Sequence, residues 1–179
     1  MTSSATNSQP HHPVISLIGF PGSGKSTVGV LLAKRLGTDF VDTDILIQSR
    51  ENATLAEIIA ANDHLHLREI EEQVLTEMPI DHSVISTGGS VVYSDKIMQR
   101  LAAETTVVYL RAQLTTVEYR ISLAPDRGIA SSKNQSLGDI FAERVPLYER
   151  WAEITVDVDS DDPEVIVGHI IAALDTALG

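Results

Sequence analysis

The chain has 179 residues and a hydrophobic fraction of 43%, which indicates one folded domain with a buried core. No apolar run approaches the length of about 20 residues that crosses a membrane, and the net charge of −12 argues against a general nucleic-acid-binding surface. Cysteine is absent, which excludes disulfides and thiolate zinc sites and fits a cytoplasmic protein.

The first 13 residues, MTSSATNSQPHHP, are polar and have neither a basic start nor an apolar segment. We therefore expect a disordered tail at 1–13 rather than a signal peptide. The remaining residues, 14–179, are predicted to form a single domain.

Short apolar segments predict the strands of one sheet. They are Val14–Phe20, the segment DFVD that ends at Asp42, Ser83–Thr87, Thr105–Leu110 and Glu153–Val158. Helical patterns fill the intervals: one ends near Gly37, two or three pieces lie between about 45 and 77, and the last runs from about 163 to 178. This alternation predicts an α/β fold, a three-layer sandwich with a five-stranded parallel sheet flanked by helices. Ligands of such folds bind at the carboxyl ends of the strands.

The first predicted strand runs into GFPGSGKS, which fits the phosphate-binding loop pattern and stands between a strand and a helix. Its glycines allow backbone N–H groups to point at phosphate oxygens, and the start of the helix favours negative charge. The lysine reaches the β and γ phosphates, and the following serine hydroxyl can ligate Mg²⁺. This pattern predicts a nucleoside triphosphate site, whose residues are Gly22, Ser23, Gly24, Lys25, Ser26 and Thr27.

A phosphate-binding loop does not identify the phosphoryl acceptor. A GTPase needs an NKxD-like sequence, which is missing, and a motor or large ATPase needs a longer chain. A small kinase of a metabolite or of a nucleoside monophosphate remains. A nucleoside monophosphate kinase is disfavoured, because we find no long separate lid domain and few arginines for a second phosphate.

Two aspartates, Asp42 and Asp44, follow the second predicted strand in the segment FVDTD. If the strand continues through both, side chains two residues apart share one side of the sheet edge, close to the phosphates. The alternative is that one of them caps the following helix.

Two further segments have a functional and a structural interpretation. Arg68 lies on a predicted helix whose apolar face includes Leu67 and Ile70, and it binds either a ligand or a nearby glutamate, Glu71 or Glu72. The segment TGGS at 87–90 follows the third strand, and it is either a tight turn or a place where backbone N–H groups approach a ligand closely.

The segment APDRGIASSKNQS, at 124–136, is polar, contains glycine and proline and lacks a helical period. It predicts a mobile surface loop, a lid at about 123–136, that carries Arg127.

With these segments in hand, the sequence resembles the shikimate kinase family from about Val14 to Ala177. The family combines a phosphate-binding loop, an F-x-D-x-D element, an [FL]-R-x-x-E helix, a T-G-G-G turn, an arginine-bearing lid and an R-x-P-L-Y segment. Here these are GFPGSGKS, FVDTD, LREIE, TGGS, DRGIA and RVPLY, in the same order and with matching spacing.

The resemblance implies an ATP- and Mg²⁺-dependent transfer to the 3-hydroxyl of shikimate by a cytoplasmic monomer. On the ATP side, the resemblance implies residues that bind the phosphates, the metal ion and the adenine, and an arginine on the lid. The residues are Lys25 for the phosphates, Ser26 and Asp42 for Mg²⁺, Arg127 for the lid, and Arg120 and Pro163 for the adenine.

On the acceptor side, the resemblance implies that Asp44 holds the hydroxyl that is phosphorylated. Arg68 and Arg144 correspond to a pair that binds the substrate carboxylate, and Gly88 and Gly89 to backbone contacts. Catalysis would then depend mainly on Lys25, Asp44 and Arg127, because phosphoryl transfer requires in-line positioning and positive charge at the phosphate.

Two segments depart from the family pattern. The lid reads RGIA where the family has Arg-Pro-Leu-Leu, and Ser90 stands in place of the third glycine of the turn. A serine there is unfavourable if the position needs a positive φ or a close approach of the substrate. The remaining alternatives are a kinase of another small hydroxy acid or polyol, gluconate-like, and a non-catalytic nucleotide-binding module.

Overall fold

A computed structural model describes residues 14–123, 129, 135–159 and 162–178. The predicted tail at 1–13 and most of the predicted lid, including Arg127 and Gly128, lie outside the described residues. The assignment of 14–179 to a single domain stays a prediction.

The described residues form one five-stranded parallel sheet, with the strand order β2-β3-β1-β4-β5. The strands are β1 (Ile15–Ile18), β2 (Asp39–Asp42), β3 (Ser83–Ser86), β4 (Thr106–Arg111) and β5 (Ile154–Asp157). Every residue of β1 and β3 is buried, as expected for inner strands that are covered on both faces. The predicted fold class, a parallel sheet flanked by helices, is confirmed.

Eight α-helices surround the sheet within the described residues. They are α1 (Lys25–Leu36), α2 (Thr43–Glu51), α3 (Leu55–Ala61), α4 (His64–Glu77), α5 (Asp95–Glu104), α6 (Leu114–Ser122), α7 (Leu137–Trp151) and α8 (Pro163–Leu178). A short 3-10 helix, Val91–Tyr93, joins β3 to α5. The helical stretch predicted between 45 and 77 is divided into three helices, since capping residues Asp42, Thr54 and Asp63 start a new helix each time.

Two separate apolar clusters hold these elements together. The larger one lies around the sheet, whereas α2, α3 and α4 share a smaller cluster that includes Ile47, Ile58 and Leu67. The three helices therefore pack on one another beside the end of β2, and α4 also joins the larger cluster through Leu75. None of the helices in the described residues is long and apolar enough to cross a membrane.

Strand ends differ from the prediction by one or two residues. Strand β1 ends at Ile18 because Gly19, with φ of 150°, already belongs to the following loop. Strand β2 ends at Asp42, as predicted, and helix α2 begins at the next residue, so Asp44 lies in α2 and not on the strand. The expectation that strand periodicity places both aspartates on one side is therefore wrong, because the backbone turns into a helix between them.

Candidate active site

The loop between β1 and α1 has the geometry of a phosphate cradle. Gly22 and Gly24 take φ angles of 88° and 95°, which side-chain-bearing residues rarely adopt. The buried Lys25 side chain spans the loop, and its Nζ donates to the carbonyl oxygens of Gly19, at 2.8 Å, and Phe20, at 3.2 Å. Helix α1 begins here with neither a capping side chain nor an acidic residue in its first turn. Its positive end is thus available to an anion.

Ser26 and Asp42 lie at the same part of the sheet edge, because each of them is next to Ser86. The hydroxyls of Ser26 and Ser86 lie 3.5 Å apart, and Ser86 is paired in register with Asp42 in the neighbouring strand. The two predicted metal-binding residues are thereby brought together. Thr27 follows on the exposed side of α1.

Asp42 caps helix α2, which is the structural alternative considered for this pair of aspartates. Its Oδ1 accepts the backbone N–H groups of Asp44, at 3.0 Å, and Ile45, at 3.4 Å. The cap uses Oδ1 and thereby fixes the orientation of the carboxylate. Asp44 follows in the first turn of α2, and its side chain lines the cleft beside Lys25 and Ser26. The two acids therefore have different local structures.

The turn after β3 needs glycines because neighbouring side chains occupy the space of a Cβ. A Cβ on Gly88 would overlap the carboxyl of Glu71 and lie 3.2 Å from Oδ1 of Asp44. A Cβ on Gly89 would lie 2.5 Å from the ring of Pro21. The backbone N–H of Gly88 donates to the Thr43 hydroxyl at 3.1 Å. This turn is therefore closely packed against the phosphate loop and α2.

Ser90 fits this turn without strain. Its φ is −94° and its ψ is −3°, which an L-residue adopts readily. Of the two conditions under which a serine would be unfavourable here, the positive φ does not hold. Its buried hydroxyl donates a hydrogen bond to Oε2 of Glu71.

Arg68 and Arg144 approach the same aromatic ring, that of Tyr93. The guanidinium carbon of Arg68 lies 3.7 Å from the ring centroid, and that of Arg144 lies 5.2 Å from it. Arg144 is fully buried, and its Nε lies 3.4 Å from the Tyr93 hydroxyl. The structure thus brings together two cations that are 76 residues apart in the chain.

The structural alternative for Arg68 is not observed. Among the described residues, no ion pair joins Arg68 to Glu71 or Glu72, and the buried Nε of Arg68 has no hydrogen-bond partner. Burial lowers the pKa of Arg68, and the neighbouring charge of Arg144 adds to this effect. Arg68 is half-buried and forms no ion pair within the described residues, so its guanidinium is suited to bind a carboxylate.

Nine of the predicted site residues line one cleft of about 390 Å³: Gly22, Gly24, Lys25, Ser26, Thr27, Asp42, Asp44, Gly89 and Arg144. Ser23, Arg68, Gly88, Arg120 and Pro163 are not among its walls. Lys25 and Ser26, at the start of α1, lie in its walls together with Asp44, Gly89 and Arg144. Arg68 instead lines a neighbouring groove between α4 and α5. Glu71 and Ser90 belong to the walls of both cavities and separate them.

Arg120 reaches the phosphate loop from α6. Its Nη2 donates to the carbonyl oxygen of Val158 at 2.8 Å, and its Nη1 lies 3.4 Å from the carbonyl oxygens of Gly22 and Ser23. Arg120 therefore connects the loop to Val158, just after β5. Helix α8 begins five residues after Val158, at Pro163. Arg127 lies outside the described residues.

Sequence reasoning considered Glu71 only as a possible ion-pair partner of Arg68, and it gave no role to Tyr93. Glu71 lies three residues after Arg68, one helical turn further along α4, and this spacing is a signal that both face the same place. Glu71 is buried, and burial raises the pKa of its carboxyl to about 7, with the charge of Asp44 acting in the same direction. The hydrogen bond from Ser90 opposes this rise, as do the charges of Arg144 and Arg68.

Glu71→Gln should stabilise the protein more at pH 8 than at pH 5. The carboxyl binds its proton more tightly in the folded state, with a pKa of about 7 against 4.5, so ionisation above pH 5 lowers the free energy of unfolding. A neutral amide avoids this loss, which amounts to at most about 3 kcal/mol. Urea denaturation at both pH values measures it. Glu69→Gln, which alters an exposed glutamate of the same helix, is the control, and an equal effect of Glu71→Gln at both pH values would contradict the prediction.

These features place the chain among the P-loop kinases that phosphorylate small molecules. The family model described as shikimate kinase matches residues 21–175. The chain belongs to the shikimate kinase family.

Individual relatives agree with this assignment. The chain is 40% identical over 171 residues to shikimate kinase of Mycobacterium avium, covering 90% of this chain and 93% of the relative. It is 35% identical over 160 residues to shikimate kinase of Thermodesulfovibrio yellowstonii, covering 88% and 92%. The structure of shikimate kinase from Acinetobacter baumannii in complex with shikimate superposes with a TM-score of 0.85 at 28% identity, covering 92% of this chain and 94% of that one.

Proposed function

We propose that the protein transfers the γ-phosphoryl group of ATP to the 3-hydroxyl of shikimate, giving shikimate 3-phosphate and ADP. This reaction belongs to the biosynthesis of aromatic amino acids. The observation that carries the proposal is the single cleft in which a phosphate loop faces Asp44 and Arg144, in a chain of this family.

On the donor side, the backbone of the loop and Lys25 bind the phosphates. Phosphoryl transfer requires positive charge around the equatorial oxygens and little covalent chemistry, and Lys25 at the start of α1 supplies such charge. Arg127 is proposed from the resemblance as a second cation. Arg120, which lies over the loop, and Pro163 are proposed to bind the adenine.

Ser26 and Asp42 are proposed to hold Mg²⁺. They offer a hydroxyl and a carboxylate, the hard oxygen ligands that this ion prefers. No cluster of three or more histidine, cysteine, aspartate or glutamate side chains suited to a metal occurs in the described part of the chain. A site with few protein ligands fits an ion that keeps several waters and binds the phosphates as well. Bound there, the ion would neutralise charge on the phosphates.

On the acceptor side, Asp44 orients the attacking hydroxyl and accepts its proton. Arg144 and Arg68 bind the carboxylate of shikimate. In a protein with a net charge of −12, converging arginines create the local positive potential that an acidic substrate needs. Each charge-assisted arginine–carboxylate contact contributes roughly 1.5 to 3 kcal/mol.

The protein is proposed to act as a monomer in the cytoplasm, with ATP and shikimate as its partners. The monomer is proposed from the resemblance alone, and the acidic composition supports small-molecule partners over nucleic acid.

An acceptor screen tests the proposed reaction. Purified protein with Mg-ATP is assayed for ADP release with shikimate, quinate and gluconate. We expect shikimate to give by far the highest kcat/KM. A higher value for either other acid would refute the assignment of the acceptor, and ATP binding without turnover of any acceptor would indicate a non-catalytic module.

Arg68→Ala should raise the KM for shikimate about 10- to 150-fold and leave ATP affinity nearly unchanged, because one charge-assisted contact is lost. Steady-state kinetics with each substrate varied in turn measures both effects. The matched control is Arg50→Ala, which removes an exposed arginine that pairs with Glu77 and changes the net charge equally. If Arg68→Ala leaves the KM for shikimate unchanged, Arg68 does not bind the substrate carboxylate and only lines the neighbouring groove.

A further inference from the structure

The contact between Ser90 and Glu71 joins two buried polar side chains at the floor of the cleft. Ser90 is 4% exposed and Glu71 is 6% exposed. The Ser90 hydroxyl donates to Oε2 of Glu71, and this bond connects the turn after β3 to helix α4. A glycine in this place would have no side chain to offer, so the contact depends on the residue in which this chain departs from the family pattern.

The other carboxyl oxygen of Glu71 faces the acceptor side. Oε1 of Glu71 and Oδ1 of Asp44 lie on the same side of Gly88. A Cβ at Gly88 would overlap the first oxygen and lie 3.2 Å from the second. Both residues line the cleft together with Arg144. Two carboxyl groups, from α2 and from α4, are therefore presented to one small volume.

Within the part of the chain that the structure describes, no ion pair sets the orientation of Glu71. Arg68 precedes it by one helical turn, yet no salt bridge joins the two within the described residues. The hydrogen bond from Ser90 is thus the specific polar contact that fixes the carboxyl. A long acidic side chain without such a contact loses its preferred rotamer, which weakens any ligand bond that it makes.

We propose that Ser90 is a positioning residue of the acceptor site, whose hydroxyl holds the Glu71 carboxyl so that its other oxygen accepts a hydrogen bond from a second hydroxyl of the bound acceptor. The inference rests on the proposed function, since shikimate carries hydroxyls next to the one that is phosphorylated. Asp44 then takes the reacting hydroxyl and Glu71 a neighbouring one.

The position of Glu71 also determines its charge. Asp44 from α2, Arg68 on its own helix and Arg144 from α7 act on its carboxyl, and Ser90 donates to it. Because a hydroxyl donor favours the ionised form, loss of the Ser90 hydroxyl raises the pKa of Glu71. An ionised carboxyl accepts from a substrate hydroxyl more strongly than a protonated one.

The first test is kinetic. Ser90→Ala should raise the KM for shikimate about 5- to 30-fold at pH 8, with kcat and the Kd for ADP within about twofold. In a Glu71→Ala background, the same change should have no further effect on KM, because the group that it positions is gone. Additive effects of the two changes would overturn the proposal. If Ser90→Ala does not fold, Ser90→Gly replaces it.

The matched control is Ser94→Ala. Ser94 donates to Glu72 at 2.8 Å, one residue further along α4 but outside the cleft, and it also caps α5. We expect this change to lower stability and to leave the KM for shikimate unchanged. An equal rise in KM would attribute the effect of Ser90→Ala to general destabilisation.

The second test does not use activity. The Glu71 carboxyl is titrated by carbon-13 NMR on glutamate-labelled protein, with Glu71→Gln to assign the signal. We expect a midpoint near pH 7 that rises in Ser90→Ala. An unchanged midpoint would refute the contact. If the protein does not use shikimate, the proposed function fails, while this titration still decides whether Ser90 holds Glu71.

Discussion

Asp44→Asn is expected to lower kcat about 100- to 10,000-fold while ATP affinity stays within about twofold. The asparagine keeps the size of the side chain and its place in the first turn of α2, but it cannot accept the proton of the attacking hydroxyl. Because Asp42, and not Asp44, caps α2, the helix should remain intact.

The measurement is a coupled ADP assay together with ATP binding by calorimetry. Asp39→Asn is the matched control, since it removes the same charge from an exposed residue at the start of β2. Near-normal turnover by Asp44→Asn would show that Asp44 does not accept the proton of the attacking hydroxyl.

Arg144→Met is expected to raise the KM for shikimate about 30- to 1,000-fold without lowering Tm. The proposed pair is the Arg144 guanidinium and the carboxylate of bound shikimate. Loss of one partner of such a buried, hydrogen-bonded charge pair costs about 2 to 4 kcal/mol of binding free energy. Without substrate, however, the fully buried guanidinium carries a desolvation cost that an apolar side chain of similar length does not. Stability and acceptor binding should therefore change independently.

Thermal denaturation and steady-state kinetics together test this expectation. Arg150→Met provides the control on the same helix, because Arg150 is exposed and lies over the ring of Trp151. A large fall in Tm for Arg144→Met, with an unchanged KM, would assign Arg144 to the core and not to the substrate.

The phosphate loop shows how far local sequence determines a site. The left-handed backbone at Gly22 and Gly24 and the start of α1 at Lys25 depend on neighbours in the chain, so the residues alone predict them. Helix α8, predicted from Pro163 to Leu178, is observed with those ends for the same reason.

The pair Asp42 and Asp44 shows where local reasoning is insufficient. Sequence allowed either a continued strand or a helix cap, and the two differ only in where β2 ends. Once β2 has paired with β3 through Asp42, the chain turns into α2. Asp42 then caps this helix near Ser26, and Asp44 lies in its first turn and lines the cleft.

By itself, the sequence determined the alternation of strands and helices, the nucleotide site and, through the resemblance, the family. Only the tertiary structure decided that Glu71 is buried against Gly88 and held by Ser90, and that Arg68 and Arg144 meet at Tyr93. The physical reason is that turns and helix ends depend on residues near each other in the chain. The charge and orientation of a buried side chain depend instead on groups that only the strand order β2-β3-β1-β4-β5 brings together.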